Sequence, residues 1–265
     1  MQSDSNILQI DNLSKYFGGL AAVSDCSLKI KRGSITGIIG PNGSGKTTLF
    51  NLIAGNLKSS KGKVLFNNEN ITDVPSYELF SKGLLRTFQI AHEFTNLTVL
   101  ENLMMVPGNQ SGENLVNALL KPTLIKKEEE KIKQKAFEVI EFLNLKHLAN
   151  ELAGNLSGGQ KKLLELGRTM MVDAKLVLLD EVGAGVNRTL LKDIGTAILR
   201  LNKEKGYTFC MIEHDMDFIS RLCDPVIVMS EGSVLFKGTS GEVKNNEQVI
   251  ESYLGRGSKT KNGSA

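Results

Sequence analysis

The sequence feature that most constrains the fold is the segment of residues 40–48, which fits the pattern G-x-x-x-x-G-K-[ST]. An apolar run, residues 35–39, precedes it, and a helix-like run, residues 48–54, follows it. This strand-loop-helix setting is the one that a phosphate-binding loop requires. The segment comprises Gly40, Pro41, Asn42, Gly43, Ser44, Gly45, Lys46, Thr47 and Thr48. The pattern and its two flanks predict nucleotide binding; the alternative is an ordinary glycine-rich turn.

The chemistry of such a loop depends on backbone N–H groups. Glycines allow these groups to turn inward around an anion, and the helix that follows adds unpaired donors and a partial positive charge at its N-terminus. Lys46 would then reach the β- and γ-phosphates of a nucleotide, and the Thr47 hydroxyl would be offered to Mg²⁺.

Composition narrows the class of protein. The chain has 265 residues, enough for one large α/β domain with an inserted subdomain. Its 32 basic and 29 acidic residues are spread along the sequence and give a net charge of +3, which argues against a dedicated nucleic-acid-binding face. Cys26, Cys210 and Cys223 lack metal-ligand spacing, so we expect buried, reduced thiols.

Signals for membrane targeting are absent from the sequence. The first six residues are polar with no apolar segment behind them, and no apolar run approaches the roughly 18 residues of a membrane span. We therefore expect a soluble chain whose membrane role, if it has one, comes through a partner.

Alternation of apolar runs with helical patterns predicts an α/β fold with a parallel sheet, because buried parallel strands are continuously apolar. The first strand is expected to end before an aromatic turn around Tyr16 and Phe17, and Lys61 and Gly62 are expected to form a turn. The predicted extended segments are residues 7–13, 22–30, 34–39, 63–66, 84–89, 176–179, 208–212, 226–229 and 233–236. The predicted helices outside the middle of the chain are residues 48–54, 75–80, 188–202, 215–222 and 242–254.

The middle of the chain, residues 98–154, is expected to be helical and interrupted near Pro107 and Pro122. We interpret it as an inserted helical subdomain. One face of its longest helix is predicted to be apolar through Ile132, Ala136, Val139, Ile140 and Leu143. The charged run of residues 126–135 is interpreted as a solvated face, with a site for an anionic partner as the alternative.

A second chemical cluster ends the apolar run of residues 176–179, where two carboxylates, Asp180 and Glu181, follow. Beside a phosphate loop, Asp180 would hold the hydration shell of Mg²⁺, and Glu181 would polarise a water molecule for attack on the γ-phosphate. The alternative is two acids that simply end a strand.

A third cluster combines a helix start with a pair of glycines. Ser157, followed three residues later by Gln160, forms a capping box, so an ordinary helix start is one interpretation. Gly158 and Gly159 are poor helix formers, and their use here suggests a close approach of the backbone to another group. An anion is the natural candidate for that group at a helix N-terminus.

Taken in order, these motifs resemble those of the ATP-binding cassette family over nearly the whole chain, from about residue 7 to residue 255. Residues 40–47 match the Walker A loop, and residues 156–160 match the family signature. Phe17 resembles the aromatic residue that stacks on adenine; Tyr16 is the alternative, and core packing is the other explanation for either ring.

The remaining motifs of the family also have counterparts. Residues 176–180 resemble Walker B, so Glu181 corresponds to the catalytic glutamate. Gln89, in the run Arg-Thr-Phe-Gln, resembles the glutamine of the Q-loop. His214 resembles the switch histidine that senses the γ-phosphate, although such a histidine taken alone would more often be structural.

The resemblance implies a P-loop NTPase fold in the form of an ABC ATPase cassette. This has a RecA-like core, an antiparallel β-subdomain and an inserted α-helical subdomain, here about residues 98–172. A single ATP-binding domain would cover residues 7–255, and residues 256–265 would form a disordered tail.

The resemblance also implies an ATPase whose nucleotide is enclosed by two cassettes, either two copies of one chain or two related chains. Lys46, Gln89 and His214 of one cassette would contact the γ-phosphate from one side. Ser157 and Gly159 of the other cassette would contact it from the opposite side.

Further partners and the metal follow from the same resemblance. Thr47, Gln89 and Asp180 would hold Mg²⁺. The chain would act at the cytoplasmic face of the cell membrane on membrane permease subunits, and indirectly with an extracytoplasmic substrate-binding protein. No nucleic-acid partner is expected.

Two positions depart from the family pattern. Val182 stands where a proline often follows the catalytic glutamate, and Val186-Asn187 stands where the D-loop often ends in Leu-Asp. Asn187 keeps a hydrogen-bond acceptor and loses a charge, which puts an ionic role of the D-loop in doubt.

Several short segments look most like the group that imports branched-chain amino acids and urea. These segments are residues 88–90, 96–103, 213–216 and 253–255. Export of lipid or polysaccharide, and a non-transport ATPase acting on ribosomes or DNA, are the alternatives. Cargo selection in such systems lies in other subunits, so no residue of this chain identifies the cargo.

Overall fold

The structure is a computed structural model that describes residues 6–87, 93–108, 110–113, 117 and 120–254. It divides into two compact units. The first comprises the residues up to Arg86, Leu176–Glu181 and the residues from Asn202 onward; the second comprises Thr87–Lys175 and Val182–Leu201. Gln89 and the tail of residues 256–265 lie outside the described residues. The single domain of residues 7–255 stays a prediction.

Within the described residues, all strands belong to the first unit. They are β1 (Asn6–Phe17), β2 (Leu20–Lys31), β3 (Ile35–Ile39), β4 (Lys61–Phe66), β5 (Glu69–Asn70), β6 (Leu84–Arg86), β7 (Leu176–Asp180), β8 (Thr208–Ile212), β9 (Val226–Ser230) and β10 (Ser233–Gly238). The first unit also contains α1 (Lys46–Ile53), α2 (Ser76–Lys82), α7 (Met216–Leu222), α8 (Ser240–Lys244) and α9 (Glu247–Leu254). The second unit contains α3 (Val99–Met104), α4 (Pro122–Phe142) and α5 (Gly158–Met170), and the boundary between the units falls within α6 (Arg188–Lys205).

A six-stranded sheet in the order β10-β9-β3-β8-β7-β6 forms the centre of the first unit. Its strands run parallel except for β10, which pairs antiparallel with β9 at the edge. All residues of β3, β7 and β8 are buried, as their continuous apolar sequences require. The α/β fold class predicted from the sequence is confirmed.

The second sheet of the unit is four-stranded and antiparallel, in the order β2-β1-β4-β5. The prediction that β1 ends before its aromatic residues is wrong. Tyr16 pairs with Ala21 and Phe17 with Leu20, so the ladder with β2 carries the strand through both rings. The turn then falls at the two glycines, 18 and 19.

The turn predicted at Lys61 and Gly62 is also wrong, because both residues belong to β4. Gly62 has φ 92°, and a Cβ there would lie 2.4 Å from the carbonyl oxygen of Asn12 in β1. Glycine at this position therefore permits a close strand approach rather than a reversal of the chain.

Two segments are shorter or more divided than predicted. The extended segment of residues 84–89 is strand only to Arg86 in the part that the structure describes. The predicted helix of residues 242–254 is two helices, α8 and α9. Asn246 lies between them and caps α9, because its side chain accepts a hydrogen bond from the Val249 N–H (3.1 Å).

The second unit is helical in its described part. Helix α4 buries Ala136, Val139 and Ile140 and leaves most of residues 126–135 exposed, which confirms the predicted apolar and solvated faces. A Cβ at Gly167 of α5 would lie 2.8 Å from the Leu143 side chain and 3.1 Å from the Val139 side chain, so α5 packs closely against the end of α4.

The three cysteines are buried and unpaired, as predicted. Burial raises the pKa of the Cys26 and Cys223 thiols to about 12, so both are protonated and unreactive at neutral pH. None of the helices in the described part of the chain combines the length and the apolar character that crossing a bilayer requires.

Candidate active site

The glycine-rich loop follows buried strand β3, and helix α1 begins at Lys46. Gly45 precedes the helix with φ 95°, in the left-handed region. A Cβ there would lie 2.4 Å from the carbonyl oxygen of Ala22, so only glycine fits. The strand-loop-helix context predicted for the motif is therefore present.

Lys46 has its side chain inside the loop, and the residue is 6% exposed. Its ammonium donates to the carbonyl oxygens of Gly40 (2.8 Å) and Pro41 (3.0 Å). Burial lowers the pKa of Lys46, and the carboxylates of Glu181 and Asp180 act against that shift. The lysine and the two acids thus lie within electrostatic reach of one another.

Asp180 is the last residue of β7, and its side chain is 5% exposed. Arg86 Nη2 donates to Asp180 Oδ2 at 2.7 Å. The other terminal nitrogen of Arg86 donates to Asn51 of α1, and the guanidinium lies 6.0 Å from the centroid of the Phe50 ring. Arg86 therefore links the Walker B-like strand to the helix that follows the glycine-rich loop.

The sequence reasoning missed a role for Arg86. The available signal was a lone arginine at the end of an apolar strand, which needs a counter-ion when buried. The identity of that counter-ion depends on the pairing of β6 with β7, which places Arg86 beside Leu178.

Glu181 begins the turn after β7 with φ 49°, a left-handed conformation that is rare for a glutamate. Its N–H donates to the carbonyl oxygen of Ile212 (2.9 Å) in the neighbouring strand β8. Its carboxylate Oε1 lies 3.0 Å from Nε2 of His214. A strained backbone at the predicted base is consistent with a functional constraint on its direction.

The parallel register explains why Glu181 and His214 meet. Asp180 pairs with Ile212, so the residues that follow β7 and β8 emerge at the same edge of the sheet. His214 is half exposed, with 50% of its side chain accessible, so it is not a core histidine.

The available oxygen ligands fit Mg²⁺. Asp180 offers a carboxylate and Thr47, the second residue of α1, a hydroxyl, both of which are hard ligands. The described residues contain no cluster of three or more acidic, histidine or cysteine side chains that could hold a metal by themselves. Such a sparse set suits an ion that takes further ligands from water and substrate phosphates.

The predicted capping box at the signature is present. Ser157 Oγ accepts a hydrogen bond from the Gln160 N–H (3.4 Å), and Gln160 Oε1 accepts one from the Ser157 N–H (2.9 Å). A Cβ at Gly159 would lie 2.5 Å from the Leu190 side chain, so the close approach inferred from the glycine pair is to Leu190 in α6. At Gly158 the nearest neighbour of a Cβ would be the Gly185 carbonyl oxygen, at 3.8 Å.

The candidate adenine-stacking rings lie outside the core. Phe17 is 48% exposed and Tyr16 is 39% exposed, which contradicts core packing for either. Phe17 lies at the tip of the β1–β2 hairpin, with the Lys15 ammonium 5.1 Å from its ring centroid. An exposed ring of this kind is free to stack on a base.

The two departures from the family pattern have local explanations. Val182 is 5% exposed and packs as an apolar residue. Asn187 Oδ1 accepts a hydrogen bond from the Leu190 N–H (2.9 Å) and caps α6. A neutral acceptor is sufficient for a helix cap, so the missing charge does not weaken this element.

Comparisons with known proteins agree with this geometry. The sequence matches the family described as ABC transporter over residues 23–184. A probable branched-chain amino acid transport ATP-binding protein of Archaeoglobus fulgidus is 45% identical over 94% of this chain and 95% of its own length. A crystal structure of the ADP conformation of an ATP-binding cassette of an ABC transporter superposes with a TM-score of 0.80, at 41% identity, over 94% of this chain and 99% of that one.

A fourth similarity concerns assembly. A dimeric ATP-binding cassette, bound to ADP and phosphate in a post-hydrolysis state, has a TM-score of 0.71 and 25% identity, with 88% of this chain and 98% of that one covered. The family match covers residues 23–184, and the relatives described above are similar along nearly the full length of the chain. The chain therefore belongs to the ABC transporter family and is an ATPase of the cassette type.

Proposed function

We propose that this chain is the ATP-hydrolysing subunit of a transporter that imports branched-chain amino acids through separate membrane subunits. The observation that carries the catalytic part is the 3.0 Å contact between Glu181 and His214, within electrostatic reach of Lys46. The 45% identity with a protein named for branched-chain amino acid transport supports the cargo class. That relative is named for branched-chain amino acids and not for urea.

Binding of ATP would begin at the glycine-rich loop. The phosphates would replace the carbonyl oxygens of Gly40 and Pro41 as partners of the Lys46 ammonium. Backbone N–H groups of residues 43–48, at the start of α1, would donate to the same phosphates. Phe17, which is half exposed, would stack on the adenine ring.

Mg²⁺, when bound, would neutralise charge between the β- and γ-phosphates. Thr47 and Asp180 would hold it, together with Gln89, which lies outside the described residues. The ion pair with Arg86 fixes the direction of the Asp180 carboxylate before any metal arrives.

Hydrolysis would use Glu181 as the base. Its carboxylate would accept a hydrogen bond from a water molecule and take a proton from it as the water oxygen bonds to the γ-phosphorus. The bond from that phosphorus to the β–γ bridging oxygen breaks, so ADP and phosphate are the products. His214, in contact with the same carboxylate, would hold its orientation and donate to the γ-phosphate from its exposed side.

A second cassette would complete the site. At the start of α5, the cap Ser157 would offer its hydroxyl to an anion, and Gly158 and Gly159 would offer their N–H groups; Gln160 completes the capping box. We infer that they face the nucleotide held by another cassette, whether a copy of this chain or a related one. The dimeric relative bound to ADP and phosphate supports this arrangement.

The partners proposed are membrane permease subunits on the cytoplasmic face and, indirectly, an extracytoplasmic substrate-binding protein. The test is to capture the intact complex from its native membranes, reconstitute it in vesicles and measure ATP-dependent uptake of labelled leucine, isoleucine, valine and urea. Uptake of the three amino acids, abolished by Glu181→Gln, is expected. Transport of urea alone, outward transport of lipid, or capture of ribosomes or DNA in place of a permease would contradict the proposal.

A further inference from the structure

The turn between β9 and β10, formed by Glu231 and Gly232, contacts the glycine-rich loop although no nucleotide-binding motif includes it. The Gly232 N–H donates to the carbonyl oxygen of Ser44 (3.1 Å). The Gly232 carbonyl oxygen accepts from the Ser24 N–H (2.9 Å) in β2. Through its backbone alone, Gly232 thus connects the glycine-rich loop to the antiparallel sheet.

The same elements enclose the loop sterically. A Cβ at Gly45 would lie 2.4 Å from the carbonyl oxygen of Ala22 in β2 and 3.3 Å from the Cα of Gly232. A Cβ at Gly40 would lie 2.2 Å from the carbonyl oxygen of Met229 in β9. The shape of the loop is therefore set by β2 and by the β9–β10 hairpin as well as by its own glycines.

The bond to Ser44 has a geometric consequence for phosphate binding. In a trans peptide the C=O and the following N–H point in opposite directions. Because the Ser44 carbonyl is directed at the hairpin, the Gly45 N–H is directed away from it. This N–H stands at the start of α1, among the donors that an anion uses at a helix N-terminus.

Gly232 has little room for a side chain. Its φ is 79°, and a Cβ would lie 3.1 Å from three backbone atoms of β2: the Ala22 carbonyl oxygen, the Val23 Cα and the Ser24 nitrogen. A side chain here forces the turn and β2 apart by a few tenths of an ångström. Such a shift would stretch the bond to Ser44 and release the peptide plane that aims the Gly45 N–H.

We propose that Gly232 is a positioning residue for the phosphate-binding loop: it holds the Ser44–Gly45 peptide in the orientation that binds the nucleotide phosphates. The inference rests on nucleotide binding at this loop, as in the proposed function. Part of the affinity for nucleotide would then depend on Gly232, which lies outside every motif recognised in the sequence.

The test compares Gly232→Ala with Gly206→Ala. Gly206, which follows α6, has φ 72°, and a Cβ there would have no heavy atom within 4 Å. Both variants therefore place an alanine in a left-handed conformation, but only Gly232→Ala also crowds β2. The dissociation constants of ADP and ATP are measured by calorimetry and the melting temperature by circular dichroism. We expect both variants to melt lower than the wild type.

Only Gly232→Ala is expected to weaken nucleotide binding, by about five- to tenfold, the loss of roughly one hydrogen bond. If Gly232→Ala does not fold, Gly232→Asn replaces it, because asparagine adopts positive φ at lower cost while adding the same Cβ. Affinity within twofold of the wild type in the folded variant, or equal weakening in Gly206→Ala, would overturn the proposal. Wild-type protein that binds no nucleotide would instead overturn the proposed function itself.

Discussion

The two carboxylates that end β7 have different surroundings, and the difference separates their roles. Asp180 is buried and paired with Arg86 at 2.7 Å, so its orientation is fixed. Glu181 follows with φ 49° and contacts the half-exposed His214. A fixed acid suits metal binding, whereas an accessible acid suits proton transfer to and from water.

Replacement of Glu181 by glutamine should remove the base while preserving the shape of the site. We expect hydrolysis to fall by at least about 100-fold, because a general base typically contributes that much or more. ATP affinity should stay within about twofold of the wild type, since the amide keeps an acceptor for His214. Phosphate release and calorimetric binding give the two values, and unchanged hydrolysis would refute the assigned base.

Removal of the Arg86 guanidinium should leave a buried charge without its partner. For Arg86→Met we expect a loss of about 3–5 kcal/mol in the free energy of unfolding, the usual effect of breaking a buried ion pair from one side. Urea denaturation measures it. Lys146→Met is the matched control, because its pair with Glu141 is 3.8 Å long and both side chains are more than 70% exposed.

The control should lose less than about 1 kcal/mol, as surface pairs do. Equal small losses in both variants would mean that the Arg86–Asp180 pair adds nothing to the stability of the fold.

The Ser157 side chain at the start of helix α5 caps the helix and is proposed to contact a nucleotide as well. Ser157 caps the helix in a box with Gln160, and Thr239 caps α8 in a box of the same construction with Glu242. The capping pattern therefore does not by itself distinguish a signature from an ordinary helix start. The effect of removing each cap on ATP hydrolysis does distinguish them.

Ser157→Ala and Thr239→Ala should each lower the free energy of unfolding by about 1 kcal/mol, the usual value of a helix cap. Only Ser157→Ala should also lower hydrolysis at saturating ATP, by about 100-fold, because a lost donor to the transition-state charge has an effect of that size. Urea denaturation and phosphate release separate the two effects. Hydrolysis that falls equally in both variants would contradict a nucleotide contact at Ser157.

Sequence patterns located most elements because their causes are local. Continuous apolar runs identified β3, β7 and β8, and the capping box at Ser157 marked the start of α5. The end of β1 and the place of Gly62 were predicted wrongly. Pairing with β2 extends β1, and the approach of β1 determines the conformation of Gly62, so both depend on neighbouring strands.

In the proposed assembly of the molecule, one chain would supply Lys46 and the base Glu181, and a second chain would supply the signature at Ser157. A mixture of Lys46→Ala and Ser157→Ala chains tests this arrangement. In a mixed head-to-tail dimer, one site carries both substitutions and the other carries neither. We therefore expect the mixture to regain hydrolysis that neither variant has alone, as measured by phosphate release against total protein.

Dilution provides the control for the same experiment. The rate per wild-type chain should fall as dimers dissociate, while ADP binding to each chain should not change. A rate per chain that is constant down to high dilution, with no recovery in the mixture, would contradict the two-chain site.

Local patterns in the sequence were enough to identify the glycine-rich loop, the acids Asp180 and Glu181 at the end of an apolar strand, the capping box at Ser157 and the α/β alternation. Each of these depends on residues within a few positions of one another, where steric limits and local hydrogen bonds act. Only the three-dimensional arrangement shows that Glu181 meets His214, that Arg86 pairs with Asp180 and that the Gly232 N–H donates to the Ser44 carbonyl oxygen. Those contacts join residues far apart in sequence, and they follow from the order and register of the strands, which no local pattern encodes.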